Sequence, residues 1–360
     1  MKIIHIIYSG MGGHGDVVFP KIERDKKNKY IIFFIGIEKI FISYKKLCKK
    51  LKIKYYFFNY KEKINIFFQI MKILKTEKPK LIFSHTETIF PLLVYKFFNS
   101  NVKLLSFQHT SLKIKKFKNK IFNFFEFFLF DKVIFLTKTY KKQVINDYKF
   151  INIKNKSLVI PTGLKDLKLS NNNKLINKKE INIGMSTRFV KGKKILKLIN
   201  LIKYNYDNNK IPLFLSIIGK GVDYEIIKSF IKKLNLTKYI SLKTLNSEYE
   251  LNNWNNNLSI YLHFSDGETL STSVIRALRA GTPMIVSNVS GLKEMINTKS
   301  YRNGYSVDDK NYYRILQLIE KLSYNKNLYN KFSKNSLYIY KNNYTLENSF
   351  QKYEKLINLY

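Results

Sequence analysis

Short apolar runs recur along the whole chain, separated by helix-length amphipathic stretches, and this alternation restricts the possible folds more than any other feature. The runs cover residues 3–8, 30–35, 54–59, 81–84, 102–107, 133–136 and 157–160, then 181–185, 213–218, 240–242, 258–264 and 284–287. Runs this short and this uniformly apolar read as strands buried on both faces, which a parallel sheet with helices on either side requires. Between the two series lies a Lys- and Asn-rich stretch with little to bury. The expected fold is therefore α/β, with two facing Rossmann-like doubly wound domains, 1–165 and 181–343, and a cleft between them. Residues 166–180 read as the linker, and 344–360 as a last helix that leaves the second domain.

Composition decides what such a chain can partner. At 360 residues and 45% hydrophobic it can fill two cores. No run approaches the roughly 18 unbroken apolar residues of a spanning helix. The first ten residues have too short an apolar core for a signal peptide and read as a first strand entering a glycine loop. A single cysteine, Cys48, forms no internal disulfide and fits a reducing cytoplasm, the expected location. The net charge of +40 invites a nucleic-acid reading, but only six of the 65 basic residues are arginine. Base and phosphate clamps favour arginine, and these lysines are spread over both halves, so nucleic acid is not an expected partner. An AT-rich genome imposes a Lys, Asn, Ile, Phe and Tyr excess on any protein, yet the scarcity of acids, 25 in all, exceeds what codon bias demands. The basic excess is heavier in residues 1–165, which would feel an anionic membrane more strongly. Within it, 113–130 pairs a lysine-rich opening with a phenylalanine-rich end. As one helix it would suit a bilayer interface; as a core helix it would merely have a solvated first turn.

The chemistry concentrates at predicted strand ends, where open α/β sheets bind ligands. Residues 258–264 lead into a polar loop carrying Glu268, and a helix opens at Ser271, Thr272 or Ser273. Its free N–H groups and partial positive charge suit a diphosphate around Leu270, Ser271 and Thr272, while Glu268 suits sugar hydroxyls. Arg188 and Lys193 follow the strand at 181–185 and could neutralise charge on a leaving diphosphate. Gly219-Lys220-Gly221 ends the strand at 213–218, as a tight turn or a nucleotide loop. Gly12 and Gly13 sit in the glycine-rich loop after the first strand, where backbone can approach a phosphate or sugar. His85 and His109 end strands, whereas His5 and His263 lie inside apolar runs and read as core residues. No His, Cys or acid cluster has metal-ligand spacing, and no Asp-x-Asp triplet exists, so neither a metal nor a resident cofactor is expected.

The segment 265–294, with Glu268 before a helix ending in Ala280-Gly281-Thr282-Pro283, resembles the donor-site signature of glycosyltransferase family 4. Arg188 with Lys193, and Val159-Ile160-Pro161-Thr162-Gly163, are similar to further parts of that family's pattern. The resemblance implies a GT-B fold, a UDP- or GDP-sugar donor held by the second domain, retention of configuration, and transfer to a lipid-linked, lipopolysaccharide or capsule acceptor. It implies that Arg188 and Lys193 stabilise the leaving diphosphate, that Glu268 orients the sugar, and that His109 lines the reacting face. Gly12, Gly13, Gly219, Leu270, Ser271 and Thr272 would contact the donor, and the last helix would cross back onto the first domain. Arg276 departs from the pattern, standing where the family has a second acid for the ribose hydroxyls; arginine cannot accept hydrogen bonds. A catalytically weak GT-B partner subunit and a GT-B nucleotide-sugar epimerase are the alternatives within the fold.

Overall fold

Every pairing between strands among the described residues is parallel, and the strands form two separate sheets. The computed structural model describes all residues except Met11, Gly12, Glu38, Glu87, Thr88, Lys116, 168–179, Lys210, Asn246 and Lys299. Most of the expected linker and one of the loop glycines, Gly12, thus lie outside the described residues.

The first sheet contains β1 (Lys2–Tyr8), β2 (Lys29–Gly36), β3 (Lys54–Asn59), β4 (Leu81–Ser84), β5 (Lys103–Gln108), β6 (Lys132–Phe135) and β7 (Ser157–Val159), in the order β3-β2-β1-β4-β5-β6-β7. Helices cover both faces, so Ile3, Ile4, Ile6 and Ile7 of β1 are all fully buried. The second sheet contains β8 (Ile181–Ser186), β9 (Leu213–Ile218), β10 (Ile240–Lys243), β11 (Ile260–His263), β12 (Met284–Ser287) and β13 (Gly304–Val307), ordered β10-β9-β8-β11-β12-β13. In each sheet the chain reverses its direction of travel beside the first strand, β1 or β8. The crevice outside the strand ends at that switch point is where a doubly wound domain accepts ligands.

The strand β13 has no counterpart in the sequence reading. Gly-Tyr-Ser-Val offers no apolar run, and as an edge strand pairing only with β12 it needs none. The reading of 113–130 as one helix is corrected. A single 3-10 turn spans Leu112–Ile114, and the α-helix occupies Phe117–Leu129, so Lys113 and Lys115 precede it.

The chain divides into two compact units, Met1–Gly163 with Leu346–Tyr360, and Leu164–Thr345. The returning segment is held in the first unit by burial of Tyr353, Leu356 and Ile357 and by the Ser349 hydroxyl, which donates to the Pro161 carbonyl at 2.6 Å. An Arg24–Glu347 ion pair closes its N-terminal end. Because Leu356 is 2% exposed, Leu356→Ala should lower unfolding free energy by about 2–5 kcal/mol in urea titration. A change below about 0.5 kcal/mol, the size expected of a surface site, would show that the segment is not part of this core.

Candidate functional site

In the second unit, β11 delivers His263 and then a loop, Phe264 to Ser271, before helix Thr272–Arg279 begins. Ser271 caps that helix, its hydroxyl accepting from the Val274 N–H at 3.4 Å. Capping engages one amide of the first turn; the others remain for an anion, favoured there by the helix dipole. On the neighbouring β8, the chain turns through Arg188 into the 3-10 turn Lys191–Lys193. The two loops are stitched together. Asp266 N–H donates to the Gly192 carbonyl at 3.0 Å, Lys194 reaches Asp266 at 3.2 Å and Asp309 at 2.6 Å, and Asp309 accepts from Ser287 at 2.8 Å. Ser287 in turn accepts from the Ser265 N–H at 3.1 Å.

This bracing sets the Lys193 ammonium directly on the Glu268 carboxylate, both largely buried. His263 lies on the other side, its Nε2 3.2 Å from the same carboxylate oxygen. Burial alone would raise the Glu268 carboxyl. The His263 hydrogen bond and the Lys193 charge outweigh it and hold the pKa down at about 2. Burial keeps His263 below its ordinary value despite Glu268, so the ring is neutral and carries its hydrogen on Nε2, donating to Glu268. Its Nδ1 stands 3.3 Å from the Tyr261 hydroxyl, which also lies 3.1 Å from the Ser186 carbonyl. The arrangement is a fixed anion, a fixed cation and a helix N-terminus at one switch point, suited to holding a polar, negatively charged molecule.

Two glycines make the approach possible. A Cβ on Gly291 would lie 2.5 Å from the carbonyl oxygens of Glu268 and Thr269, and one on Gly219 would lie 1.9 Å from the Thr187 carbonyl. Gly219 therefore lets the Lys220 loop seat the Arg188 turn, where Phe189 N–H donates to the Lys220 carbonyl at 2.8 Å. The Arg188 side chain is exposed and makes no hydrogen bond or ion pair among the described residues. Leu270 and Ser271 are buried at the helix start and Thr272 half-buried. Arg276 is drawn elsewhere: it forks onto Glu248, with Nε 3.0 and 3.2 Å from the two carboxylate oxygens, and Arg279 reaches the same carboxylate at 3.2 Å.

In the first unit a pocket of about 250 Å³ lies at the switch point, lined by Tyr8, His14, His85, His109, Lys115 and Glu126 among others. Gly13 opens helix Gly13–Arg24, and the His14 ring packs against His109 at a 37° tilt with centroids 4.5 Å apart. Glu126 is buried, accepting from Gln108 and Asn123 at 2.9 Å each. Burial pushes its carboxyl up, against those hydrogen bonds and the nearby Lys115.

Residues 168–337, nearly all of the second unit, match the family glycosyl transferases group 1. An uncharacterized glycosyltransferase of Methanocaldococcus jannaschii is 25% identical over 281 residues, spanning 71% of this chain and 67% of that protein. Among solved structures, a glycosyltransferase from Rickettsia africae superposes with a TM-score of 0.75 at 18% identity, covering 99% of this chain and 97% of that one. HepE of Anabaena, solved with UDP and glucose, gives 0.80 at 14% identity over the full length of both chains. The lipopolysaccharide outer core galactosyltransferase WaaB gives 0.73 at 15% identity over 99% of both. The findings support a GT-B glycosyltransferase. The fold class expected from the alternating runs is that of these enzymes.

Within this GT-B chain, sequence reasoning missed His263, Asp309, Gly291 and Glu126. In the sequence His263 lies inside the apolar run 258–264 and reads as a core residue; in the structure it is the last residue of β11, at the strand end. The folded pKa of Glu268 lies below the ordinary 4.5. Its stabilisation is thus present above that value and drains as pH falls toward 2. The unfolding free-energy gap between wild type and Glu268→Gln should therefore be largest near neutrality and shrink between about pH 5 and pH 2. A gap that does not vary with pH would contradict the pairing.

Proposed function

We propose that the protein is a retaining, metal-independent glycosyltransferase of family 4, moving a hexose from a UDP- or GDP-sugar to a glycan or lipid-linked acceptor. The observation that carries the reading is the Lys193–Glu268 pair at the mouth of helix Thr272–Arg279, beside the exposed Arg188. The donor's diphosphate takes the helix amides around Leu270, Ser271 and Thr272, with Arg188 and Lys193 supplying the positive charge that the leaving group needs. On donor binding Lys193 turns from Glu268 to phosphate, and the freed carboxylate accepts from sugar hydroxyls while His263 keeps it oriented. Arg276, committed to Glu248, takes no part in holding the ribose. His109 and its pocket receive the acceptor. That HepE was solved with UDP and glucose favours a UDP-sugar, and the name of WaaB favours a lipopolysaccharide-type acceptor.

No helix among the described residues is long and apolar enough to cross a membrane. A peripheral site is supported by helix Phe117–Leu129, whose outer stripe of Phe117, Ile121, Phe125, Phe128 and Leu129 is exposed, Phe117 at 79%. Its inner face carries Asn123, Glu126 and Phe127. A helix with its apolar stripe outward and lysines at its approach suits an anionic bilayer surface on the cytoplasmic side.

Calorimetric titration with UDP and GDP should show binding of one nucleotide, weakened about 10–100-fold in Arg188→Ala, the worth of a charged hydrogen bond. Lys193→Ala should lower kcat by about 10²–10³ with a smaller change in KM. Failure of every nucleotide to bind would overturn the donor site and favour the partner-subunit reading. Phe117→Ser with Phe128→Ser should abolish sedimentation with phosphatidylglycerol vesicles; unchanged sedimentation would rule this helix out.

A further inference from the structure

The pocket beside His109 holds an acid that the proposed reaction leaves without a role. Glu126 lines this pocket while only 4% exposed. Its helix, Phe117–Leu129, brings Asn123 and Glu126 to one face three residues apart, and β5 brings Ser106 and Gln108 to one face of the sheet two residues apart. Lys115 comes from the segment just before the helix.

The donors and acceptors of this cluster have one consistent assignment. An ammonium only donates, so the Asn123 atom 2.7 Å from Lys115 Nζ is its oxygen. The Asn123 nitrogen then faces the other way, donating to Gln108 Oε1 at 3.1 Å and to Glu126 Oε2 at 2.9 Å. With its oxygen taken, Gln108 turns its own nitrogen to the Ser106 hydroxyl oxygen at 2.6 Å and to the same Glu126 oxygen at 2.9 Å. Burial raises the Glu126 carboxyl, against the Ser106 hydroxyl, the Lys115 charge and the two amides, all of which favour its ionised form. A carboxylate has about four acceptor positions. The two amides and the hydroxyl leave at least one, on Oε1, for a ligand.

The charges of the pocket are balanced. Glu126 and Lys115 are joined through Asn123, and burial first of all keeps His85 and His109 well below the ordinary histidine value, hence neutral. A ligand carboxylate would meet one cation and one anion, and nothing would offset the cost of burying a third charge. A hydroxyl costs far less and supplies a hydrogen that Oε1 can take. The pocket's volume, about 250 Å³, lies below the roughly 300–1,000 Å³ of sites for drug-sized molecules, so it fits one sugar ring rather than several. Among the described lining residues only Phe107 has a wholly apolar side chain, which suits a polyol and not an acyl or isoprenoid tail.

We propose that Glu126, set in place by Gln108 and Asn123 and balanced by Lys115, is the specificity-determining residue of this pocket: it accepts from a hydroxyl of a single neutral sugar ring and discriminates against the corresponding uronic acid. That this ring ends the acceptor of a transfer rests on the glycosyltransferase reading; the preference of the pocket does not. Gln108 and Asn123 are positioning residues.

The test uses the methyl glycosides of glucose, galactose and mannose and their uronate counterparts. Each is titrated, without nucleotide, into the whole chain carrying ¹⁵N-histidine, at slightly alkaline pH to keep Glu126 ionised. Binding is read from the His109 ring resonances, assigned by their loss in His109→Asn. At least one glycoside should shift them and bind about tenfold or more tightly than its uronate. Glu126→Gln keeps an oxygen where the two amides converge and leaves Lys115 unbalanced. In that variant the glycoside should weaken about tenfold and the uronate should bind at least as tightly as the glycoside. Glu126→Asp serves if Glu126→Gln does not fold; it keeps the charge but draws the carboxylate back by one methylene, and should weaken the glycoside about tenfold while the uronate is still refused. No glycoside shifting His109, a uronate bound by wild type as tightly as its glycoside, or a folded variant with wild-type affinities would overturn the proposal, whatever the outcome of nucleotide titration.

Discussion

The candidate site of the second unit depends on one contact, the buried Lys193 ammonium against the Glu268 carboxylate. An isolated charge in that position would be costly enough to neutralise itself, and burial does push the Glu268 carboxyl upward. The pair persists because both members are presented by loops that other contacts hold rigid. Gly192 and Asp266 join the two backbones, Asp309 anchors Lys194 and Lys197 at 2.6 and 2.9 Å, and Gly291 allows the next helix to lie against the Glu268 backbone. Under the proposed function, this preorganised anion and cation at a helix N-terminus change partners when the charged donor arrives, without the loops being rebuilt. In the proposed reaction that exchange supplies both the sugar's acceptor group and the cation for its leaving diphosphate.

The two units solve the same problem with different chemistry. Both place their candidate site side chains where a parallel sheet reverses its order, beside β1 in one and β8 in the other. The second gathers charge there. The first gathers the imidazoles of His5, His85 and His109, kept neutral first by burial, which also lowers the Lys21 ammonium beside Phe107 and Tyr353 to about 7. Neutral rings direct hydrogen bonds rather than attract charge, which fits a site for hydroxyl groups better than one for phosphates.

Much of this was legible in the chain. Twofold-buried parallel strands have to be apolar, so β1 to β12 stood out as runs, and Glu268, Arg188, Lys193 and His109 stood out because strand ends carry ligands. What was illegible is of three kinds. The edge strand β13 buries too little to leave a hydropathy mark. Pairings between distant residues leave no local trace: Arg276 marks a departure from the family pattern, but nothing near it names Glu248 as the partner that takes it up. Nor does Tyr353 announce a link to His5, 348 positions away. For helix Phe117–Leu129 the sequence left a bilayer-facing and a core reading open, and its phenylalanines face both ways: Phe127 fills the core while Phe128 is 62% exposed.

The most direct test of the account is hydrogen–deuterium exchange with and without UDP. New protection is expected for the amides at 268–274 and 187–193, where the helix start and the Arg188 turn would close on the diphosphate, and none in 248–256, where Glu248 holds Arg276. Protection absent from 268–274 while UDP is demonstrably bound would contradict it.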